Sequence, residues 1–243
     1  MKLQHPERVR LIAMDLDGTL TQHRETLTQK NREALDALAK KYKLLMVGAG
    51  QVGRIFRQMG EYPIDIIGNY GLQEGRYNPL TRAIDTVRDL SLPCEREAIA
   101  ARVAALRERY GFTSFRGDGV EFHPSGCVTF PILGTAAIQA EKLAFDPDRR
   151  KRRAIYAEVV AAFPEYHVFV GGSSSFDMAP RPYNKYYALS LYAKGLGLSH
   201  EEILYIGDDY GRGGNDESVY LSDIPYLEID DYRDFPALTA PLL

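Results

Sequence analysis

The sequence has few of the features that mark secreted, membrane or nucleic-acid-binding proteins. Only two cysteines, Cys94 and Cys127, occur among 243 residues, which excludes a disulfide framework and a cysteine-based metal site. No apolar run is long enough to span a bilayer, and the first six residues do not resemble a signal peptide. The 30 basic residues nearly balance the 33 acidic ones, which argues against binding to nucleic acid or membranes through bulk charge. We expect a cytoplasmic monomer or homodimer.

One basic run, residues 148–153, interrupts this charge balance. In isolation it would suggest a nucleic-acid patch. It follows Asp146-Pro147, however, and leads into residues 154–160, whose apolar side chains have helical periodicity. We therefore expect the run to form the solvated first turn of an amphipathic helix.

Both ends of the chain alternate between strand and helix patterns. Toward the N-terminus, strands are predicted at 9–15, 43–47 and 64–67, with helices at 28–41 (N-cap Thr28) and 51–59. Toward the C-terminus, the prediction is helix 184–196, strand 203–206, short helix 215–221 and closing strand 224–229. Short links between such elements predict an α/β fold with a doubly wound, Rossmann-like parallel sheet.

The middle of the chain has short strand patterns that are typical of an antiparallel sheet. Strands are predicted at 119–123 and 127–130 around a Pro-Ser-Gly turn, and at 167–170 and 174–178 around a Gly-Gly pair. Helices near 95–110 and 152–163 would cover one face. We therefore divide the chain into a core, residues 1–81 and 184–243, and an inserted α+β domain, residues 82–183.

Residues 14–19, Met-Asp-Leu-Asp-Gly-Thr, directly follow the first predicted strand. Asp15 and Asp17 would share one face of an extended backbone at the carboxyl end of this strand, where open α/β sheets bind ligands. One carboxylate can attack phosphorus while its neighbour passes a proton to the leaving oxygen. Gly18 lets a phosphate approach the turn. The motif therefore predicts phosphoryl-transfer chemistry.

Three further strand–helix junctions carry groups suited to a phosphate. Gly48, Ala49 and Gly50 form a small turn whose backbone N–H groups open a helix. Lys185 lies in the first turn of a later helix, although a lysine at such a position is more often exposed. Asp208 ends another strand and, with the Asn215–Asp216 pair, supplies oxygen ligands for a hard cation such as Mg²⁺.

Together these residues resemble the motifs of the haloacid-dehalogenase-like phosphotransferases, in the type that carries a large α+β cap inserted at this place in the chain. The motifs are Asp-Leu-Asp-Gly-Thr at 15–19, Lys185, and Gly-Asp-Asp at 207–209 with Asn215-Asp216. The resemblance narrows to the eukaryotic-type phosphomannomutases and covers nearly the whole chain. The matching stretches are 15–21, 121–122, 131–132, 171–172, 175–177, Lys185 and 213–216.

The resemblance implies a role for each matched residue. Asp15 would be the nucleophile that forms an aspartyl phosphate, and Asp17 the general acid and base, with its backbone carbonyl on Mg²⁺. Lys185 would neutralise the phosphate and orient Asp15. Asp208 would be a metal ligand, and we place Asn215 and Asp216 in the same metal site. The residues that match contacts to the sugar phosphate are Arg24, Ser175 and Asp177.

The chain also departs from the phosphomannomutase pattern. On an ungapped reading, His123, Gly134 and Glu141 stand where those enzymes have three cap arginines that grip the distal phosphate of the substrate. The turn at 48–50 lacks the Ser or Thr hydroxyl of many family members, so backbone donors must do that work. The cations that could compensate for the missing arginines are Arg82, Arg116, Lys142 and Arg181.

We therefore predict a Mg²⁺-dependent phosphatase whose partner is a small phosphorylated molecule, a sugar phosphate or similar phosphoester. The first alternative is a phosphohexomutase such as a phosphomannomutase, which would share the first half of the reaction. An alternative of another class is a catalytically silent ligand-binding protein of the same fold.

Overall fold

The computed structural model describes residues 6–243, and the chain divides into two compact units. Unit 1 comprises residues 6–89, 184–211 and 216–243, and unit 2 comprises residues 90–183 and 212–215. Residues 1–5, which hold most of the chain start that we compared with signal peptides, lie outside the described residues. Among residues 6–243, no helix combines the length and apolar character needed to cross a membrane.

The helices and strands follow one another along the chain with short connections. The strands are β1 (Leu11–Met14), β2 (Lys43–Val47), β3 (Asp65–Gly68), β4 (Gln73–Asn78), β5 (Ala83–Asp89), β6 (Glu121–Phe122), β7 (Val128–Pro131), β8 (Tyr166–Phe169), β9 (Ser175–Pro180), β10 (Ile203–Gly207) and β11 (Tyr226–Glu228). The α-helices are α1 (Gln29–Leu38), α2 (Val52–Gln58), α3 (Arg96–Tyr110), α4 (Gln139–Phe145), α5 (Arg150–Ala162), α6 (Lys185–Gly195), α7 (Glu217–Tyr220) and α8 (Phe235–Thr239).

Unit 1 is built on a seven-stranded sheet with the order β11-β10-β1-β2-β3-β4-β5. The first five strands of this order are parallel, so the predicted α/β fold with a doubly wound, Rossmann-like parallel sheet is confirmed. The chain runs from β1 outward to β3, and it later returns to the other side of β1 through β10 and β11. The strand order therefore reverses between β1 and β10, and open α/β sheets bind ligands at such a switch point.

The boundary that we placed after residue 81 is wrong, because residues 83–89 are part of the unit 1 sheet. β5 pairs antiparallel with β4 from Gln73↔Asp89 to Asn78↔Ala83, and β4 pairs antiparallel with β3. β5 is an edge strand with mostly exposed side chains. Its sequence therefore lacks the apolar run that marks the buried strands of this sheet.

Side chains of the parallel strands are buried on both faces of the unit 1 sheet. Ile12 and Met14 pack with residues of α1, α2 and α8 on one face, and Leu11 and Ala13 pack with residues of α6 on the other. This is the period-two alternation of a strand that is covered on both sides. The predicted N-cap of α1 is confirmed, since Asn31 N donates to the Thr28 hydroxyl at 3.3 Å.

Unit 2 contains a four-stranded antiparallel sheet with the order β6-β7-β9-β8. Apolar residues at helical spacing on α3 and α5 pack with side chains from the sheet in a separate core. The residues of this core include Ile99, Val103 and Leu106 on α3, Ile155 and Val159 on α5, and Val128, Phe130, Phe176 and Met178 on the sheet.

The basic run does not form a wholly solvated helix turn, because Arg152 is 1% exposed. Its Nε donates to Oδ2 of the buried Asp146 at 2.9 Å. Its Nη1 donates to the backbone carbonyls of Gly171, Gly172 and Ser175. Arg152 therefore ties the start of α5 to the turn between β8 and β9. The sequence shows the charge of this run, but not the carbonyls that converge on one member of it.

We expect Asp146→Ala to destabilise unit 2 by about 3–5 kcal/mol, because it leaves the Arg152 guanidinium buried without its counter-ion. Denaturant unfolding of the variant and of the unaltered protein would measure the loss. Asp148→Ala is the matched control, since Asp148 pairs with Arg150 in solvent and its removal should cost less than about 1 kcal/mol. Equal losses in the two variants would contradict the role of the buried pair.

Candidate active site

The switch point of the unit 1 sheet brings two carboxylates to neighbouring strand ends. Asp15 follows β1 and Asp208 follows β10, and Met14 and Ile206 are register partners. Asp15 N donates to the carbonyl of Ile206 at 3.0 Å, so the pairing extends one residue beyond β1. Gly18 has φ +100°, and a Cβ there would lie 2.4 Å from Asp208 Oδ2. The motif therefore needs glycine both for its backbone conformation and for the approach of Asp208.

Lys185 is buried between two carboxylates. Its Nζ lies 2.7 Å from Oδ1 of Asp15 and 2.7 Å from Oδ1 of Asp216, and its side chain is 0% exposed. α6 begins at this residue because the Asn184 side chain accepts the N–H of Tyr187 at 2.8 Å as an N-cap. A lysine in a first helical turn is usually exposed, but Lys185 is buried. Its ammonium orients the carboxylate of Asp15.

Asp216 is fixed through both of its carboxylate oxygens. The hydroxyl of Tyr205 on β10 donates to Oδ1 at 2.6 Å, and the backbone N–H of Asp209 donates to Oδ2 at 3.1 Å. A Cβ at Gly207 would lie 2.5 Å from the same Oδ2. Asp216 is therefore held in one orientation, which in turn positions Lys185.

Negative charge exceeds positive charge in this buried group. Burial raises the pKa of Asp15, and the carboxylates of Asp216 and Asp208 add to this effect while Lys185 opposes it. Burial and then Asp216 raise the pKa of Asp208 to about 7. Burial disfavours the Lys185 ammonium, but Asp15 and Asp216 outweigh it and raise the pKa of Lys185. Three carboxylates against one ammonium leave an excess that a divalent cation would neutralise.

The carboxylates of Asp15, Asp208 and Asp216 fit a divalent metal ion. One oxygen from each lies within 4.8 Å of the others. Lys185 binds Oδ1 of Asp15, and the Thr19 hydroxyl donates to Oδ1 of Asp208 at 2.9 Å. Neither interaction uses Oδ2. Hard oxygen ligands of this kind, with one or two carboxylates and substrate phosphate, are those that Mg²⁺ prefers.

The carboxylate of Asp17 is held by other partners. The chain bends at Leu16, and Oδ1 of Asp17 accepts the backbone N–H of Arg24 at 2.7 Å and Nε2 of Gln58 at 2.6 Å. Asp17 does not belong to the group of carboxylate oxygens described above. The two aspartates of the motif therefore have separate environments, and their predicted roles as nucleophile and acid–base residue stay predictions.

The glycine turn predicted to hold phosphate lies between β2 and α2. The carbonyl of Gly50 accepts the N–H of Asn69 at 2.8 Å, and the first N–H of α2, from Val52, donates to the Gln73 side chain at 3.1 Å. Arg24, the predicted sugar-phosphate residue, is exposed and has φ 62°. A phosphate contact by Gly48, Ala49, Gly50 or the Arg24 side chain stays a prediction.

Unit 2 carries the predicted sugar contacts on one strand. Ser175 and Asp177 are two residues apart on β9, so they share a face. Oδ1 of Asp177 accepts the Thr129 hydroxyl at 3.2 Å, and Thr129 is hydrogen-bonded to His123 at 2.9 Å. Burial raises the pKa of Asp177. These side chains form a hydrogen-bonded polar row, and a sugar contact by Ser175 and Asp177 stays a prediction.

The other positions that depart from the mutase pattern also lie in unit 2. A Cβ at Gly134 (φ +84°) would lie 2.1 Å from the carbonyl of Arg116, so the backbone there does not accept an arginine. Glu141 pairs with Arg116 at 3.2 Å, and Lys142 donates to the carbonyl of Thr135. Two of the possible compensating cations therefore already have partners in unit 2.

The remaining predicted residues lie elsewhere. Asn215 lies in the short segment 212–215 that groups with unit 2, and its place in the metal site stays a prediction. Arg181 donates to the carbonyl of Pro164, and Arg82 is an exposed residue between β4 and β5 of unit 1.

Several residues that contact the predicted site were not selected from the sequence; in unit 1 they include Thr19, Arg54, Gln58 and Tyr205. Thr19 belongs to the first motif, so its hydroxyl could have been included. Arg54 and Gln58 are polar residues at i and i+4 of α2, and this spacing after the glycine turn is the signal that was available. Tyr205 lies inside an apolar strand and gave no signal.

The sequence is similar to those of phosphomannomutases. The family model described as eukaryotic phosphomannomutase matches residues 108–225. A probable phosphomannomutase of Caenorhabditis elegans is 24% identical over 229 residues, covering 88% of this chain and 87% of the relative. The phosphomannomutase of Saccharomyces cerevisiae is 25% identical over 222 residues, covering 88% and 85%.

Solved structures share the fold. A haloacid dehalogenase-like hydrolase from Bacteroides thetaiotaomicron superposes with a TM-score of 0.59 at 15% identity, covering 96% of this chain and 98% of that one. An IMP-nucleotidase of Plasmodium falciparum gives a TM-score of 0.66 at 15% identity, covering 99% of this chain and 69% of the other. At this identity the likeness shows the architecture alone.

We expect Mg²⁺ to stabilise the protein thermally, because it would relieve the repulsion among the three carboxylates. A ligand at about 100 times its Kd stabilises by about 2.7 kcal/mol, and each kcal/mol raises Tm by about 2–4 °C in a chain of this size. The rise should be larger at pH 8 than at pH 6, since the cation competes with the proton on Asp208, whose pKa is about 7.

Asp208→Ala should abolish the Mg²⁺-dependent rise in Tm, whereas Asp223→Ala should keep it. Asp223 is an exposed carboxylate of unit 1 that pairs with His200. Differential scanning fluorimetry of both variants with Mg²⁺ and with EDTA would decide, and an unchanged response in Asp208→Ala would rule out this metal site.

Proposed function

We propose that this chain, which resembles the haloacid-dehalogenase-like proteins and is similar in sequence to the eukaryotic phosphomannomutases, transfers the phosphoryl group of a sugar phosphate through Asp15 to water. The observation that best supports phosphoryl transfer is the buried ammonium of Lys185, which lies 2.7 Å from the Asp15 carboxylate. It orients the nucleophile and places positive charge beside the incoming phosphate. This complete set of groups disfavours a catalytically silent ligand-binding protein.

In the first half of the reaction, a carboxylate oxygen of Asp15 attacks phosphorus and the ester P–O bond breaks. Asp17 gives its proton to the departing sugar oxygen, so the sugar leaves as an alcohol. Lys185 remains protonated, since Asp15 and Asp216 raise its pKa. A Mg²⁺ ion, when bound by Asp15 and Asp208, would neutralise charge on the phosphate oxygens.

In the second half, Asp17 accepts a proton from water as the water oxygen attacks the phosphorus of the aspartyl phosphate. The bond between phosphorus and the Asp15 oxygen breaks, which releases inorganic phosphate and restores the carboxylate. Asp17 ends this step protonated and ready for the next substrate, so one residue serves as acid and then as base.

The acceptor of the phosphoryl group separates this phosphatase from the alternative, a phosphomannomutase. The comparisons favour the mutase, because the matched family and the relatives described above are phosphomannomutases. A mutase must grip a second phosphate while the first is on aspartate, and arginine suits that grip.

Unit 2 supports water as the acceptor. His123, Gly134 and Glu141 replace the three arginines that the resemblance leads us to expect, and the backbone at Gly134 leaves no room for a side chain. Arg116 forms an ion pair with Glu141 at 3.2 Å. The proposal of hydrolysis rests on these residues, and the mutase is kept as the second candidate.

We expect Asp15→Asn to reduce phosphate release from p-nitrophenyl phosphate by more than about a thousandfold, because an amide is a poor nucleophile. The change is nearly isosteric, so the circular dichroism spectrum should match that of the unaltered protein. Asp223→Asn, an exposed carboxylate change, is the control and should keep full activity. Turnover by Asp15→Asn at the normal rate would refute the aspartyl phosphate.

One assay distinguishes transfer to water from transfer to a sugar phosphate, because the two reactions give different products. With mannose 1-phosphate or glucose 1-phosphate and a hexose 1,6-bisphosphate activator, we expect release of inorganic phosphate and little hexose 6-phosphate. The reason is that a site without a charged partner holds a phosphate more weakly, by about 2–5 kcal/mol for each lost pair. Hexose 6-phosphate formed faster than inorganic phosphate would establish the mutase instead.

A further inference from the structure

The two carboxylate oxygens of Asp17 have different environments. Oδ1 accepts two hydrogen bonds, from Arg24 N at 2.7 Å and from Gln58 Nε2 at 2.6 Å. Oδ2 has neighbours at longer range, the Arg54 guanidinium with Nη1 at 3.8 Å and the His23 ring with Nδ1 at 4.0 Å. An oxygen that already accepts two N–H donors is poorly placed to carry a proton, because the proton would meet those donors. This geometry leaves Oδ2 as the oxygen that can be protonated.

Gln58 and Arg54 are themselves joined. Arg54 Nη1 donates to Oε1 of Gln58 at 2.6 Å, which fixes the Gln58 amide with Nε2 toward Asp17. The same Nε2 lies 3.2 Å from the hydroxyl of Thr21. Gln58 is 9% exposed, whereas the Arg54 side chain is 43% exposed. Arg54 and Gln58 therefore form a clamp (the α2 clamp) that reaches Asp17 from a helix outside the motif.

Gly50 makes room for this clamp. A Cβ at position 50 would lie 2.1 Å from Arg54 Nη2 and 2.5 Å from its Nε. The guanidinium therefore occupies the volume in which any larger residue at position 50 would begin its side chain. A serine or threonine at position 50 would therefore compete with the Arg54 guanidinium for the same space.

We propose that the α2 clamp positions Asp17 for proton transfer through Oδ2. This inference rests on the proposed function and assigns Arg54 and Gln58 as positioning residues. When the ester P–O bond breaks, the proton on Oδ2 passes to the leaving oxygen, and Asp17 becomes a carboxylate that faces the Arg54 charge. When water attacks the aspartyl phosphate, its proton returns to Oδ2.

The test exploits the dependence of general acid catalysis on the leaving group. A poor leaving group needs the proton from Asp17, whereas p-nitrophenolate leaves with little help. We would measure kcat/KM with a series of substituted phenyl phosphates and plot its logarithm against the pKa of the leaving phenol. In Arg54→Ala and Gln58→Ala, we expect losses of about tenfold or more with phenyl phosphate and less than about threefold with p-nitrophenyl phosphate. The plot for each of these variants is then steeper than the plot for the unaltered protein.

Three further variants separate positioning from other causes. Arg57→Ala removes an exposed arginine of the same helix and should leave the slope unchanged. Gly50→Ala keeps the backbone N–H groups of the turn but displaces the guanidinium, so it should reproduce the steeper slope of Arg54→Ala. In Asp17→Asn, the additional change Arg54→Ala should steepen the slope no further, because the residue being positioned is already disabled.

Equal losses of kcat/KM across the whole phenol series, in variants that fold normally, would contradict the positioning role of the α2 clamp. They would not contradict the proposed phosphatase activity. Such losses would instead indicate that Arg54 contacts the phosphate. Arg54→Lys should recover part of the slope, since an ammonium retains the positive charge near Oδ2 but not the planar donors. An unaltered protein that releases no phosphate from any substrate would overturn the proposed function and the role of the α2 clamp together.

Discussion

The arrangement of unit 1 depends on the burial of the Lys185 ammonium. A buried charge is tolerated only when it is paired and hydrogen-bonded, because the loss of hydration otherwise costs several kcal/mol. Asp15 and Asp216 supply that pairing at 2.7 Å each, and Asp216 is itself fixed by Tyr205. The cation thus links the end of β1, the start of α6, β10 and the start of α7. The same pairing that satisfies the Lys185 charge also fixes the position of the Asp15 carboxylate.

The sequence predicted where the site lies better than how its members are bonded. Strong apolar runs with short links identified β1, β2 and β10, and parallel strands bring their carboxyl ends to one edge. Asp15, Lys185 and Asp208 could therefore be assigned to a common site. Other partners in the site could not be predicted, since Tyr205 looks like any residue of a buried strand. Asp208 accepts a hydrogen bond from Thr19, whereas Asp216 accepts one from Tyr205 and pairs with Lys185, and no local sequence pattern indicates which donor meets which carboxylate.

The sequence predictions were wrong for residues whose surroundings are formed by distant segments of the chain. β5 has the composition of an exposed strand, and only its pairing with β4 places it in unit 1. Arg152 is one of several adjacent cations, and its burial follows from carbonyls about 20 residues further along the chain, at Gly171 and Ser175. Propensity and periodicity describe neighbours in sequence, whereas these outcomes follow from neighbours in space.

The pairing of β1 with β10 also sets an order of events during synthesis. Leu11 pairs with Ile203, so one edge of β1 stays without its partner until most of the chain has left the ribosome. An open apolar strand edge is prone to wrong pairing with other chains. Residues 90–183 are contiguous and contain all four strands of the other sheet, so the strand pairing of that sheet does not have to wait for β10. Nascent chains stalled before residue 203 should therefore be the most dependent on chaperones.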